Sequence, residues 1–200
     1  MKLGIPKLDK LLGDIKPGAL ILISTVGDLG ISIVIQALKK NSGGKVILVT
    51  SRLEKQLKRV PGLENSKYLT LGKDFGPQEL FRVTHLMKEL PHQQLIGVLF
   101  LQPLLIFHPP ITVYRFLLEL ADIAISHDFV LVTIIDKRLI DDRTLAMFEE
   151  LSTYVIDIIE VLEGFHIKRG IRIKKSPNNI TGFYTLDVKN GNADIGEPLE

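Results

Sequence analysis

The stretch Ile21-Leu-Ile-Ser-Thr-Val-Gly-Asp-Leu-Gly-Ile-Ser32 passes from an apolar run into a loop with two glycines and then into a helical pattern. That layout belongs to loops that bind phosphate. In them backbone N–H groups cradle the phosphoryl oxygens, a lysine reaches the terminal ones and a hydroxyl holds Mg²⁺, under the consensus G-x-x-x-x-G-K-[ST]. Here Thr25 stands at the first glycine, Gly30 at the second, Ile31 at the lysine and Ser32 at the hydroxyl, with Gly27 and Asp28 between them. A hydrocarbon replaces the cation, and Asp28 puts a carboxylate where it competes with phosphate for the same N–H donors. These residues predict a vestigial phosphate loop that holds no cofactor.

Other groups of residues are less specific. Lys168-Arg-Gly-Ile-Arg-Ile-Lys-Lys175 is the densest positive stretch. A period of two places Lys168, Arg172 and Lys174 on one strand face, with Ile167, Ile171 and Ile173 packing on the other. Two readings stay open: Lys168, Arg169, Arg172, Lys174 and Lys175 contact nucleic acid or a neighbouring subunit, or they form a charged face that guards a sheet edge from aggregation. No aromatic side chain interleaves to stack bases. The segment 102–111 places Leu104, Leu105, Ile106 and Phe107 in an irregular connection after a buried strand, at the carboxyl edge where open α/β sheets bind ligands. So much apolar surface either folds back on the core or meets a partner. Asp136-Lys-Arg138 follows the next strand at the same edge and reads as a solvated connection or part of an interaction face. His85, His92, His108, His127 and His166 lack compact ligand spacing, so no metal is expected. Asp141-Asp142 reads as charge at a helix N-terminus. Ser126-His127-Asp128, being adjacent in sequence, does not place three side chains in a catalytic relay.

The elements that must position these groups follow from periodicity. Residues 5–12 form an amphipathic helix. Strands are expected at 19–24, 45–50, 67–71, 95–101 and 129–135, with helices at 31–40, 53–60, 77–90, 111–127 and 141–151. The helix at 31–40 is expected to end in Asn41-Ser-Gly-Gly44. Strands alternating with helices need crossover connections, hence a mainly parallel α/β sheet covered on both faces. Strand-like runs at 154–162, 166–174 and 182–188 have no helices between them and are expected as an antiparallel extension at one edge. Two hundred residues suit a single domain, 1–200, that buries about 70% of its unfolded surface. With 25 Lys plus Arg against 23 Asp plus Glu, net charge argues for neither nucleic acid nor an anionic membrane. The absence of cysteine excludes disulfides and thiolate metal sites. The longest apolar run, roughly 95–107, is broken by Gln102-Pro103 and is too short to span a bilayer. With no basic-then-apolar leader at the start, a cytoplasmic protein is expected.

Gly4-Ile-Pro-Lys-Leu-Asp-Lys-Leu-Leu-Gly13, followed by Pro17-Gly18, a strand and the loop, resembles the opening of KaiC-like and archaeal RadA-like proteins of the RecA superfamily. There G-[IV]-x-x-L-D-x-L-L-G precedes P-x-G, a strand and the Walker A loop. A late strand like Val155-Ile-Asp-Ile-Ile-Glu-Val161 and a closing hairpin extend the resemblance over nearly the whole chain, toward short archaeal KaiC-like proteins of uncharacterised function. It implies a RecA-like sheet. The family's chemical residues do not carry over. Its Walker B strand ends in an aspartate, where Val98-Leu-Phe-Leu-Gln102 has no acid. Its second strand is followed by a catalytic glutamate, where Ser51 or Arg52 stands, with Glu54 nearby. In the family, a lysine and an arginine on the strand that corresponds to 168–175 reach the neighbouring subunit's ATP, a role that Lys174 and Lys175 would echo.

Phosphoryl transfer is stabilised mainly by cations and positioning. Without the lysine and the metal carboxylate, the expectation is a pseudo-ATPase, not an enzyme, acting as a scaffold or regulatory interaction protein through protein contact or self-association. Two alternatives are carried forward: an accessory DNA-binding protein and a nucleotide sensor that binds without hydrolysis.

Overall fold

The computed structural model describes residues 1–41 and 45–199; the expected helix stop at 42–44 lies outside them. Helix α1 (Pro6–Leu12) leads into β1 (Leu20–Thr25), α2 (Leu29–Lys40), β2 (Lys45–Thr50), α3 (Ser51–Leu57) and β3 (Lys67–Leu71). Then come α4 (Leu80–Lys88), β4 (Leu95–Val98), α5 (Leu101–Phe107), α6 (Pro110–His127) and β5 (Val130–Asp136). A 3₁₀ turn (Lys137–Leu139), α7 (Asp142–Leu151), β6 (Tyr154–Glu163), β7 (His166–Lys175), β8 (Tyr184–Lys189) and β9 (Asn192–Pro198) complete the chain.

Among the described residues nine strands form one sheet in the order β3-β2-β4-β5-β1-β6-β7-β8-β9. It is parallel from β3 to β6 and antiparallel from β6 to β9. The sheet is therefore mainly parallel with a C-terminal antiparallel extension, as expected. Strand β6 joins the two parts, parallel to β1 from Ile21↔Tyr154 to Ser24↔Asp157 and antiparallel to β7. Strand β9 is an addition to the expected set.

Both faces of the parallel part are covered. Ile21 and Ile23 join Leu8 and Leu12 of α1, Val34 and Leu38 of α2 and Leu57 of α3 in one core. Leu20 and Leu22 join Met87 of α4, Leu104 of α5, Leu117 of α6 and Phe148 of α7 in the other. All six residues of β1 are buried, and each fully buried aliphatic chain stabilises the fold by about 1.5–3 kcal/mol. The β8–β9 hairpin packs on α2, where the Gln36 side chain donates to Ala193 O (3.3 Å) and accepts from Ala193 N (2.7 Å).

The segment after β4 is helical rather than irregular. Pro103 falls in the first turn of α5, where a residue's missing N–H has no intrahelical acceptor to lose. Pro77 lies ahead of α4, which starts three residues later than its position suggests. Among the described residues no helix is long and apolar enough to cross a membrane.

Glu54 is a structural anchor at the β2–β3 side of the sheet. Its buried carboxylate accepts from Lys58 Nζ (2.5 Å), Thr70 Oγ1 (2.8 Å) and Lys73 Nζ (3.4 Å). The Lys58 bond, reinforced by Thr70 and Lys73, pulls its pKa down to about 2 against the opposing effect of burial. A carboxyl depressed on folding adds stability that is fully present above its unfolded value, 4.5, and lost as pH falls toward about 2. Glu54→Gln should therefore lower stability at neutral pH and flatten the acid limb of the stability curve between those values, measured by urea unfolding across pH. An unchanged acid limb would contradict this role.

Candidate functional site

The loop between β1 and α2 sits at the carboxyl edge of the sheet, and the N–H groups of Gly27, Gly30 and Ile31 are engaged by the protein itself. Thr25 is buried, and its Oγ1 accepts the Gly30 N–H at 2.9 Å. Gly27, at φ +57°, donates its N–H to Asp136 Oδ2 at 2.9 Å. Asp28 occupies the N-cap position of α2, is exposed, and makes no side-chain capping bond. Ile31 is half-buried, with its N–H donated to Asp28 O at 3.1 Å, and Ser32 is buried. Gly30 is needed for packing: a Cβ there would lie 3.0 Å from Ile23 Cγ2 and 3.0 Å from Thr25 Cβ.

Asp136 is the residue that sequence reasoning missed. The parallel register of β1 and β5 sets it opposite Thr25, which carries its carboxylate from the end of β5 to the loop. Only 8% exposed, it is buried instead of lying in a solvated connection. Its Oδ1 accepts from Arg138 N (3.0 Å) and Nε (3.1 Å), and its Oδ2 accepts from Arg138 Nη2 (2.8 Å) as well as from Gly27. The Asp136 N–H in turn donates to Gln102 Oε1 at 3.1 Å. The Arg138 guanidinium, followed by the Arg138 and Gly27 amides, holds this carboxyl below its usual pKa against the effect of burial. An internal carboxylate thus takes the place an anionic ligand would have at Gly27, and Arg138 neutralises it. A signal was present in the sequence: an aspartate directly after a buried apolar strand, followed at once by two cations.

The ionic edge continues into β6 and β7. Asp157, opposite Ser24, is buried and accepts from Lys137 Nζ (2.5 Å) and Arg172 Nε (2.9 Å). A pocket of about 540 Å³ opens between Gly27, Asp28 and Ser32 on one side and Arg138, Glu160 and Arg169 on the other.

The five basic residues of β7 are all partnered within the chain. Lys168 pairs with Glu163, and Arg169 Nε donates to Glu160 Oε1 at 2.9 Å. Arg172 binds Asp157 and lies over the Phe183 ring at 4.5 Å. Lys174 Nζ reaches both Glu149 oxygens at 2.8 Å, and Lys175 Nζ donates to the carbonyls of Glu149 (3.0 Å) and Glu150 (2.7 Å) at the end of α7. Ile171 and Ile173 are buried as the alternation requires, but Ile167 is exposed because the hairpin has passed beyond its cover.

Within α5 the four apolar residues at 104–107 divide. Leu104 is fully buried and belongs to the core instead of to a partner surface, because helical geometry turns it inward; Leu105 is partly buried, and Ile106 and Phe107 are exposed. Glu54 lies away from the loop, with β4 and β5 between β2 and β1, a lateral separation of about 14 Å. Asp141 caps α7, accepting from Thr144 N at 2.8 Å.

No family model and no curated protein matches the chain. An uncharacterised protein from Pyrococcus horikoshii, solved in complex with an unknown peptide, shares the fold: the two superpose over 100% of each chain with a TM-score of 0.76, at 16% sequence identity.

Two substitutions test the loop. Gly30→Ala should cost about 1–3 kcal/mol in urea unfolding, since Ile23 and Thr25 must shift to admit the methyl group. Asp136→Asn should cost a similar amount, about 1–3 kcal/mol, by removing the charge that satisfies Gly27 and Arg138. A neutral effect of both would mean that the loop is not locked.

Proposed function

We propose that this chain is a non-catalytic protein of RecA/KaiC-like ancestry that acts by binding a protein or peptide partner, as a scaffold or regulatory subunit. The observation that carries the reading is the Asp136 carboxylate on the Gly27 N–H, held there by Arg138. Phosphate would have to displace a buried carboxylate, hydrogen-bonded to Gly27 and to the exposed Arg138, without the help of a lysine, because Ile31 stands in that place. Two further features agree. The segment from β4 into α5, Leu95-Ile-Gly-Val-Leu-Phe-Leu101, has no acid to hold Mg²⁺. Glu54 is committed to Lys58, Thr70 and Lys73. The RecA/KaiC-like ancestry rests on the opening motif at 4–13, the order of loop and strands, and the closing hairpin.

A partner of peptide character draws support from the Pyrococcus protein, which has the same fold and was solved with a peptide. The nucleic-acid alternative needs unmatched cations, and those of β7 are spent on carboxylates and carbonyls of the same chain.

Calorimetric titration of ATP and ADP, with and without Mg²⁺, into the full chain refolded from denaturant tests the vacated site. The expected result is no saturable heat up to millimolar ligand. Micromolar binding would overturn the reading in favour of a nucleotide sensor.

A further inference from the structure

The sheet outgrows its helices at the β6–β7 hairpin. Every residue from Glu160 to Lys168 is exposed. Among them, Leu162 is 72% exposed, Phe165 101% and Ile167 60%. A two-stranded ribbon with no third layer is marginal in water, and apolar side chains gathered at its tip mark a contact surface.

The backbone at this tip is half-paired. Strand β7 meets β8 at Gly170↔Thr185 and Ile171↔Tyr184. Beyond Thr185, β8 leaves with β9 toward α2, where Gln36 holds Ala193. Residues 166–169 therefore have β6 on one side and, among the described residues, no strand on the other. Alternate residues of such an edge direct their N–H and C=O groups outward, as a template for another strand. Beside it lies a pocket of about 560 Å³ whose walls include Ile159, Val161, Gly170, Phe183 and Leu199. The flanking charges cancel locally, Lys168 against Glu163 and Arg169 against Glu160. A neutral edge complements a neutral segment and gives no electrostatic pull to a polyanion or an acidic peptide.

Resting on the peptide-partner reading above, we infer that the outer edge of β7 over residues 166–169 docks an extended, uncharged peptide segment with apolar side chains at alternate positions, added to the sheet as a further strand. Its backbone completes the ladder. One set of side chains enters the pocket lined by Ile159, Leu162 and Phe183, and the other meets Ile167 on the opposite face.

The test is to pan a displayed random heptapeptide library on the full chain and make the enriched sequences as capped synthetic peptides. Their affinity is then measured by fluorescence anisotropy for the wild type and for Leu162→Lys and Ile167→Lys. Both positions are exposed, and unchanged thermal melts verify that the variants fold. The expected result is enrichment of alternating apolar sequences whose affinity falls about tenfold or more in either variant and on N-methylation at alternate peptide residues. Peptides that bind wild type and variants alike would overturn this site while leaving the peptide-binding reading standing. A library that yields no binder would overturn both. Sedimentation revealing a dimer that either substitution dissolves would overturn the peptide as occupant and put a second copy of the chain there.

Discussion

A strand buried on both faces has only its neighbours to satisfy its backbone, and its side chains need a layer of structure above and below. β1 is such a strand, and the architecture follows from that requirement. α1, α2 and α3 supply one layer and α4 to α7 the other. The cover reaches as far as the lower half of β6. Beyond it the chain covers itself, with the β8–β9 hairpin laid over α2 and the C-terminal residues Pro198 and Leu199 brought beside Gly170. The outer half of β6 and β7 is what remains when both devices have been used.

The same geometry makes the carboxyl edge the place where polar groups must be resolved. Parallel strands ending together at a loop and a helix start leave backbone donors pointing into a poorly hydrated corner. Asp136 and Thr25 resolve two of them, at Gly27 and Gly30. Arg138 and Gln102 then complete the hydrogen bonding of Asp136. Gly30 illustrates how one residue type serves two ends: a glycine that would admit phosphate to a loop here admits Ile23 and Thr25 to the first turn of α2.

Much of the architecture was legible, because parallel strands buried on both faces write themselves as continuous β-branched runs. β2 and β3 fall on the residues that hydropathy marks. What was not legible involves direction or distance. β6 has the composition of its antiparallel neighbours, and nothing in Tyr154-Val-Ile-Asp says that it runs alongside β1. β9, Asn-Ala-Asp-Ile-Gly-Glu-Pro, is too polar and too rich in turn residues to read as a strand, and it exists because α1 and α2 offer it a surface. α5 was hidden by Pro103. In the candidate site, the loop residues were visible as a motif, but Asp136 meets Gly27 only after β5 has paired with β1. The partners of Lys168, Lys174 and Lys175 are likewise set by hairpin register and by the end of α7, so a basic stretch that looked free in one dimension is partnered in three.

The position of β1 also bears on how the chain comes to fold. Its two neighbours in the sheet begin at Val130 and Tyr154, in the second half of the chain, whereas β2, β3 and β4 can pair among themselves much earlier. Pairings so remote in sequence are slow, since the whole intervening loop must be closed before they return any stability. On the ribosome this strand, buried along its whole length, emerges before both of its sheet neighbours and is satisfied only after them. Its Leu-Ile-Leu-Ile run finds neither sheet neighbour until β5 and β6 have left the exit tunnel, and an unpaired apolar strand of that kind is prone to aggregate.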